Sequence, residues 1–468
     1  MSLSVVSDGI ARVFKKLLPS PFGIAVSITL FVFLVALCFM KPPEISVLSH
    51  AKSLAFSWQE GLFQSSLLTF AFQMSFMLVL GHALALTKPF SKVINLLTSI
   101  FCKNTALAAF GVTLLTVMVA LFNWGLGLIF GAIFARKVGE YALHRKISLN
   151  YPLIGAAGYS GLMVWHGGFS GSSLSKIAEP GELLSKSQGL SAEKLSLVPE
   201  AITYDETVFS SMNISISWAL ILILPAVMYW LGKMKPSEKT ARNLTPAAET
   251  TIVSKVLGAE RIDHLSWLGI GFGLLVLLVA SLVACNAEGG ITGWKFINPN
   301  WINLVLFGLA LTLHKTFSSF LKGVDEGIGG AAGILVQFPL YFGILGLMTS
   351  SGLVESISHF FVSVSTPATY PIFTFISAGI VNVFVPSGGG QWAIQGPIII
   401  QSALEIGVPL NKSILAMAYG DQLTNMLQPF WALPLLGITG LKAKEILPYT
   451  LVLMLVGSII FLVGLVVF

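Results

Sequence analysis

Charge is what this 468-residue chain has least of. Only 10% of its residues are Asp, Glu, Lys or Arg and 55% are apolar, where a soluble protein carries roughly 25% charged residues. A soluble fold is excluded. Cysteine is almost as scarce: Cys38, Cys102 and Cys285 lie far apart, so neither a disulfide framework nor a structural zinc site is supported. No P-loop, dinucleotide fingerprint or HExxH sequence is present, and an ATP-driven pump or metalloprotease has no support. Low-complexity tracts are absent too. A net charge of +6 would suit a nucleic acid or other anionic partner only if the basic residues shared one face. They are distributed differently, and no nucleic-acid partner is expected.

What the chain has instead is long apolar runs, with a mean hydropathy of +0.84. A membrane-crossing helix needs about 20 mostly apolar residues. Nine segments qualify, near 21–40, 61–87, 151–175, 207–231, 265–285, 301–314, 329–349, 411–439 and 446–468. The first follows Arg12, Lys15 and Lys16 as a signal peptide would, but no small-residue cleavage site follows it, so it reads as a retained span. Two further runs, 105–136 and 370–403, are interrupted midway by NWGLG and VPSGGGQW. If each enters and leaves on one face, a cytoplasmic N-terminus puts every Lys and Arg inside except Lys41, Lys52, Lys176, Lys186, Lys194, Lys295 and Lys412. Treating either run as a simple crossing would send the basic stretches 136–146 and 232–263 to opposite faces, against the positive-inside bias.

The expected architecture is an all-α polytopic membrane protein with about nine full spans, two re-entrant hairpins and a cytoplasmic N-terminus. The order span, span, hairpin, broken span, span runs through 1–231 and recurs in 301–468 from the opposite face, joined by a cytoplasmic linker and one span over 232–300. Inverted repeats with interrupted helices at matching places point to a secondary transporter and to its site. The loop 176–206, with six acidic residues against three Lys, suits a solvated outer face.

Four interruptions carry the chemistry, two per half. They are the hairpin tips Asn123-Trp124-Gly125 to Gly127 and Pro386-Ser387-Gly388-Gly389-Gly390-Gln391, and the broken helices at His166 to Ser173 and Tyr419 to Asn425. Unwound backbone inside a bilayer costs several kcal/mol per unsatisfied group, so it is tolerated where protein or a cavity satisfies it. Gly runs bring amides close to a ligand and helix starts favour an anion. The substrate-binding candidates are therefore Asn123, Trp124, Gly125, His166, Gly167, Gly168, Ser170, Ser172, Pro386, Ser387, Gly388, Gly389, Gly390 and Gln391. Oxygen-bearing Asn123, Ser173, Asn382, Asp421, Thr424 and Asn425 are candidates for a coupling cation, H+ or Na+. Each break could alternatively serve close helix packing, as small-residue patterns do.

Asp421 is the one carboxylate placed within a span, and no Lys or Arg accompanies it there. Its partner is then a coupling cation or a proton; a neutral structural Asp is the alternative. His166 and His82 are either substrate contacts or hydrogen-bonded packing residues. Pro429, Phe430, Trp431 and Pro434 could kink the last broken helix and wall an apolar pocket, or simply pack.

At these motifs the chain resembles the short-chain fatty acid transporter family within the wider ion-transporter superfamily. The resemblance runs nearly end to end, through LPSPFGIAVSITL at 18–30, GHALA at 81–85, NWGLGLIFGAIFAR at 123–136, GGFSGS at 167–172, GILVQFPLY at 333–341, VPSGGGQWAIQGP at 385–397 and AYGDQLTNMLQPFWALP at 418–434. His166 stands where the family pattern has Gly. The resemblance implies a bacterial inner-membrane carrier of small monocarboxylates such as acetoacetate or butyrate. It also implies a homodimer in which a transport domain moves against a scaffold. No cofactor is expected beyond a Na+ coupling ion; the partners are the monocarboxylate and membrane lipid.

The residues leave other functions open. Another small organic anion could be the cargo, or the protein could be a passive anion channel, although no basic ring is visible. Gly168-Phe169-Ser170-Gly171 has the form of an intramembrane protease nucleophile loop. Such chemistry needs a base within hydrogen-bond reach of Ser170, and His166, His314 and His359 are poorly placed for that. A non-enzymatic carrier is the expectation.

Overall fold

The computed structural model of the protein describes residues 20–187, 190–234, 258–287 and 296–468. Arg12, Lys15, Lys16, Lys235, Lys239, Arg242, Lys255 and Lys295 of the charge argument lie outside them. Every element described is a helix: α1 Pro21–Phe39, α2 Val47–Leu62, α3 Ser65–Ala85, α4 Lys88–Phe101, α5 Thr105–Phe122, α6 Trp124–Arg145, α7 Tyr151–Tyr159, α8 Ser172–Ile177, α9 Ser211–Met234, α10 Ser266–Asn286, α11 Pro299–His314, α12 Phe317–Ser350, α13 Leu353–Ser363, α14 Tyr370–Phe384, α15 Gly388–Ile406, α16 Leu410–Thr424, α17 Pro429–Thr439 and α18 Ala443–Val467. Short helices Glu182–Lys186 and Ala192–Leu195 sit in the loop before α9. Helix starts follow their caps. Ser20, Asn104, Asn150, Asn298 and Thr316 each accept a first-turn amide through the side chain, and Pro21, Pro152 and Pro299 occupy first-turn positions where no amide bond is lost.

Seven stretches among the described residues are long and apolar enough to cross a bilayer: α1, α2 running into α3, α5, α9, α10, α12 and α18. Large apolar side chains stay exposed on them, including Leu274, Leu278 and Leu282 of α10 and Ile459 and Val463 of α18. Such faces require lipid rather than water around them; this is a multi-pass membrane protein. Five expected spans coincide with these helices. The segment at 329–349 is the second part of a 34-residue α12, and 301–314 is a 16-residue α11. The expected spans at 151–175 and 411–439 are not continuous helices, while α5, expected as a hairpin arm, is long enough by itself. Sequence patterning also passed over α2 and α4, whose mixed polarity hides them from a hydropathy window, and α13, which is apolar but only 11 residues long. Each buries only one stripe: Ile94 and Thr98 in α4; Leu353, Val354 and Ser358 in α13.

Packing sorts the helices into two groups. α12 lies against α1, α2 and α3, and α11 against α3 and α10; in the other group α5 packs on α6 and α9, α14 on α16, and α18 on α7 and α9. The groups meet where α12 and α3 touch α17 and α6. Within the second group α5 doubles back into α6 at one extended residue, Asn123 (φ −150°, ψ 127°). A Cβ on Gly127 would lie 2.6 Å from the Ala120 Cα, and one on Gly131 would meet Thr116. Those antiparallel contacts need glycine. α14 and α15 turn at Ser387, and their arms are tied by Gln391 Nε2 donating to the Ala378 carbonyl at 2.9 Å and the Tyr370 hydroxyl donating to the Ile399 carbonyl at 3.1 Å.

Candidate functional site

The two unwound segments lock into each other. After α7 the chain makes 3-10 turns at Ser160–Met163 and Trp165–Gly167 before α8; after α16 it makes one at Asn425–Leu427 before α17. Tyr159, fully buried, donates its hydroxyl to the carbonyls of Asn425 (2.9 Å) and Gln428 (3.2 Å). In return, Gln422 Oε1 accepts the amides of His166 (2.8 Å) and Gly167 (3.3 Å). Asn213 of α9 closes the set, donating to the Gly167 and Val208 carbonyls at 2.8 Å and accepting the Tyr419 hydroxyl at 2.9 Å. Backbone that leaves the helix is thereby satisfied by protein, as membrane burial demands.

At the centre His166 joins Asp421. The Ser173 backbone N–H donates to His166 Nε2 at 3.1 Å, so that nitrogen holds a lone pair and the ring proton sits on Nδ1, hydrogen-bonded to Asp421 Oδ2. His166 is 0% exposed and Asp421 1% exposed. The sequence left Asp421 with no side-chain partner; the fold gives it an imidazole. Asp421 Oδ1 remains buried without a partner.

The order Ser173, His166, Asp421 copies that of a nucleophilic triad, with the Ser173 hydroxyl 2.8 Å from Nε2. Ser173 is 0% exposed, and its amide and hydroxyl compete for one lone pair. The serine weighed from the sequence, Ser170, points elsewhere: its Oγ accepts the Trp124 amide at 2.9 Å.

Beside Asp421, Asn382 Nδ2 contacts the Asp421 carbonyl (2.6 Å), Thr424 Oγ1 (3.0 Å) and Asn425 Oδ1 (2.9 Å), and Gln428 Nε2 bonds the Asn382 carbonyl. Three oxygens thus converge on one amide nitrogen. No group of three or more His, Cys, Asp or Glu able to hold a metal occurs among the described residues. The second tip sits over the same place: a Cβ on Gly388 would lie 2.9 Å from His166 Cε1 and Trp165 Cη2 and 3.0 Å from Asp421 Oδ2. Ser387 accepts the Gly390 amide at 3.2 Å; Pro386 is buried in the turn, and Gly389 is exposed with nothing near its Cβ position.

The first tip faces a different space. Asn123, Trp124, Ser170 and Ser172 line a cavity of about 450 Å³ together with Phe122, Phe169, Tyr204 and Asn298. Tyr204 spans its wall, donating to the Phe169 carbonyl at 3.1 Å; burial, with Glu179 beside it, raises its pKa, which keeps the donor proton in place. Gly125 packs near Met77, and Gly168 is pressed onto the Leu121 carbonyl, so both read as packing glycines. Near the opposite end of α6, His82, Arg136, Lys137, Glu140, His144 and Glu326 line a second cavity of about 210 Å³. Pro429 occupies the first turn of α17 without kinking it, and Phe430 stacks on Phe338 at 4.0 Å.

The structure thus gathers His166, Gly167, Ser173, Gly388, Asn382, Asp421, Thr424 and Asn425 into one buried knot, and Asn123, Trp124, Ser170 and Ser172 onto a cavity wall. Gln422, Trp165, Asn213 and Gln428 were missed by sequence reasoning. Gln422 and Gln428 were legible as polar residues beside a break; Trp165 and Asn213 carried no signal of that kind.

The short-chain fatty acid transporter family model matches residues 2–468. Two proteins named for short-chain fatty acid transport are similar: one of Escherichia coli (strain K12), 35% identical with 99% of each chain covered, and one of Haemophilus influenzae (strain ATCC 51907 / DSM 11121 / KW20 / Rd), 32% identical with 99% of each covered. The crystal structure of the Alcanivorax borkumensis YdaH transporter is a more distant likeness, at 14% identity and a TM-score of 0.43 over 96% of this chain and 97% of that one. Matched from end to end and at more than 30% identity to full-length relatives, this chain belongs to the short-chain fatty acid transporter family.

Proposed function

We propose that this transporter carries short-chain monocarboxylates, of the acetoacetate and butyrate class, into a bacterial cell across the inner membrane, and that a coupling cation drives accumulation. One observation carries the reading: a carboxylate, Asp421, lies buried at a helix break with one oxygen unpartnered and no Lys or Arg bonded to it. An ionisable group at such a place is a functional feature by default, since burying it costs at least about 2.5 to 3.5 kcal/mol on insertion scales. A cation or proton arriving there offsets that cost. Family membership supports the cargo class. The α5–α6 and α14–α15 tips, read as re-entrant hairpins of two inverted halves, would ride with the broken helices against the α1–α3, α10–α12 group in an elevator-like movement, as a dimer.

The test is uptake of labelled butyrate and acetoacetate into proteoliposomes under an imposed Na+ gradient and, separately, a pH gradient. Wild type accumulates substrate under one of them. Asp421→Asn equilibrates substrate without accumulating it; accumulation by the variant with unchanged cation dependence would remove Asp421 from the coupling role.

A further inference from the structure

α4 is the link between the two helix groups, running from α3 to α5. At 14 residues it is about 21 Å long at 1.5 Å per residue, too short for a hydrocarbon core of roughly 30 Å. Residues 86–87 join it to α3 and residues 102–104 to α5, and both neighbours belong to stretches apolar enough to cross a bilayer. Its far end is fixed on α6, where the Cys102 thiol donates to the Val138 carbonyl at 3.8 Å, within the basic stretch 136–146. The helix therefore runs along a membrane face rather than through the membrane.

Spacing divides its surface into three. Phe90, Ile94, Leu97, Thr98 and Phe101, at steps of three and four, turn toward protein: Ile94 and Thr98 are buried, and the Phe101 ring presses on Gly111 of α5. Val93, Leu96 and Ile100 form a second stripe and are 58%, 63% and 50% exposed. Lys88 and Lys92, with Asn95 and Ser99, make the third, and Lys103 follows the last turn; all five are exposed. No acidic residue occurs from 88 to 103, and none of the three Lys has an ion-pair partner among the described residues.

α13 provides the contrast. It makes the corresponding link, from α12 to α14 ahead of the second tip, and it too exposes a large apolar residue, Phe360, at 62%. It carries Glu355 and has no Lys or Arg. An exposed apolar side is thus common to both links, and positive charge belongs to α4 alone.

We propose that α4 is a binding surface for anionic phospholipid, with Val93, Leu96 and Ile100 set among the acyl chains and Lys88, Lys92 and Lys103 on the headgroup phosphates. An apolar stripe beside a cationic one fits the boundary where hydrocarbon meets charge, and fits neither water nor hydrocarbon alone. Lys suits the outer part because its stem lies along apolar surface while the ammonium stays in the polar layer. Anionic headgroups supply the counter-charge that the protein does not. The surface is independent of which cargo is carried.

The melting temperature of the purified protein in neutral detergent is measured with added phosphatidylglycerol, with phosphatidylcholine and with inorganic phosphate, for wild type and for the Lys88→Gln, Lys92→Gln, Lys103→Gln triple variant. Phosphatidylglycerol should raise the wild-type value by several degrees more than phosphatidylcholine, and about 1 M salt should shrink the difference. In the Gln variant half-maximal stabilisation should need at least about tenfold more phosphatidylglycerol, since each Lys near an anionic surface contributes roughly fivefold. Lys→Arg at the same three positions should keep the wild-type response, which separates lost charge from lost folding. Equal shifts with the two lipids in wild type, a difference that salt leaves intact, or an unaltered phosphatidylglycerol dependence in the Gln variant overturns the proposal. A shift from inorganic phosphate as large as that from phosphatidylglycerol overturns it too, in favour of a free-anion site.

Discussion

His166 and Asp421 stand 255 positions apart and share a hydrogen bond through which the first broken segment holds the second. The imidazole has no other duty in view: its Nε2 is taken by Ser173 and its Nδ1 by the carboxylate.

Replacing His166 by Ala strands the carboxylate and the Ser173 amide together. Breaking a buried charged hydrogen bond by removing one partner costs about 3 to 5 kcal/mol, so the variant should melt well below wild type in detergent. His166→Gln, which can still donate to Asp421, should recover much of that loss. Equal melting temperatures for Ala and wild type would show that the bond contributes nothing.

Gly388→Ala places a methyl group 2.9 Å from His166 and Trp165 and 3.0 Å from Asp421. Crowding of this kind costs about 1 to 3 kcal/mol, here charged against seating the tip. Normal insertion with uptake reduced at least tenfold is expected, and transport at wild-type rate would mean the tip need not close on this spot.

Lys194 and Glu405 form a 3.0 Å ion pair whose side chains are 37% and 43% exposed. Exposed pairs contribute about 0 to 1 kcal/mol. Lys194→Ala should therefore change neither uptake nor melting by a measurable amount, and a loss of several degrees would reveal a clamp that exposure conceals.

Cysteine placed at Ser175 on the larger cavity should react with a membrane-impermeant thiol reagent from the periplasm, and cysteine at Lys137 on the smaller one from the cytoplasm. Labelling in the reverse sense would invert the topology.

Much of this is legible in the sequence. Glycine and polar residues in the middle of apolar runs marked both tips and both broken segments, because bilayer chemistry leaves few other reasons for such sequences. Which break touches which was not legible. Asp421 finds His166 through the meeting of two distant segments, and one-dimensional spacing holds no record of that. Trp165 stayed hidden for another cause: an aromatic residue in an apolar run looks like ordinary packing until its polar atom is found without a partner. α2 and α4 escaped because polar residues interrupt them, which a search for uniform hydropathy discards, and α13 because its 11 residues are too few to span.

The 34 residues of α12 make a rod about 51 Å long at 1.5 Å per residue, against a hydrocarbon core of roughly 30 Å. It must lean, bend at the interior Pro339 or stand clear of the lipid at one end, and Lys322, Asp325 and Glu326 in its opening turns favour that end for water. The charged opening turns and the buried Tyr341 lie on one helix, so a spectroscopic tag near Lys322 would register any tilt of α12 against the helices it packs on.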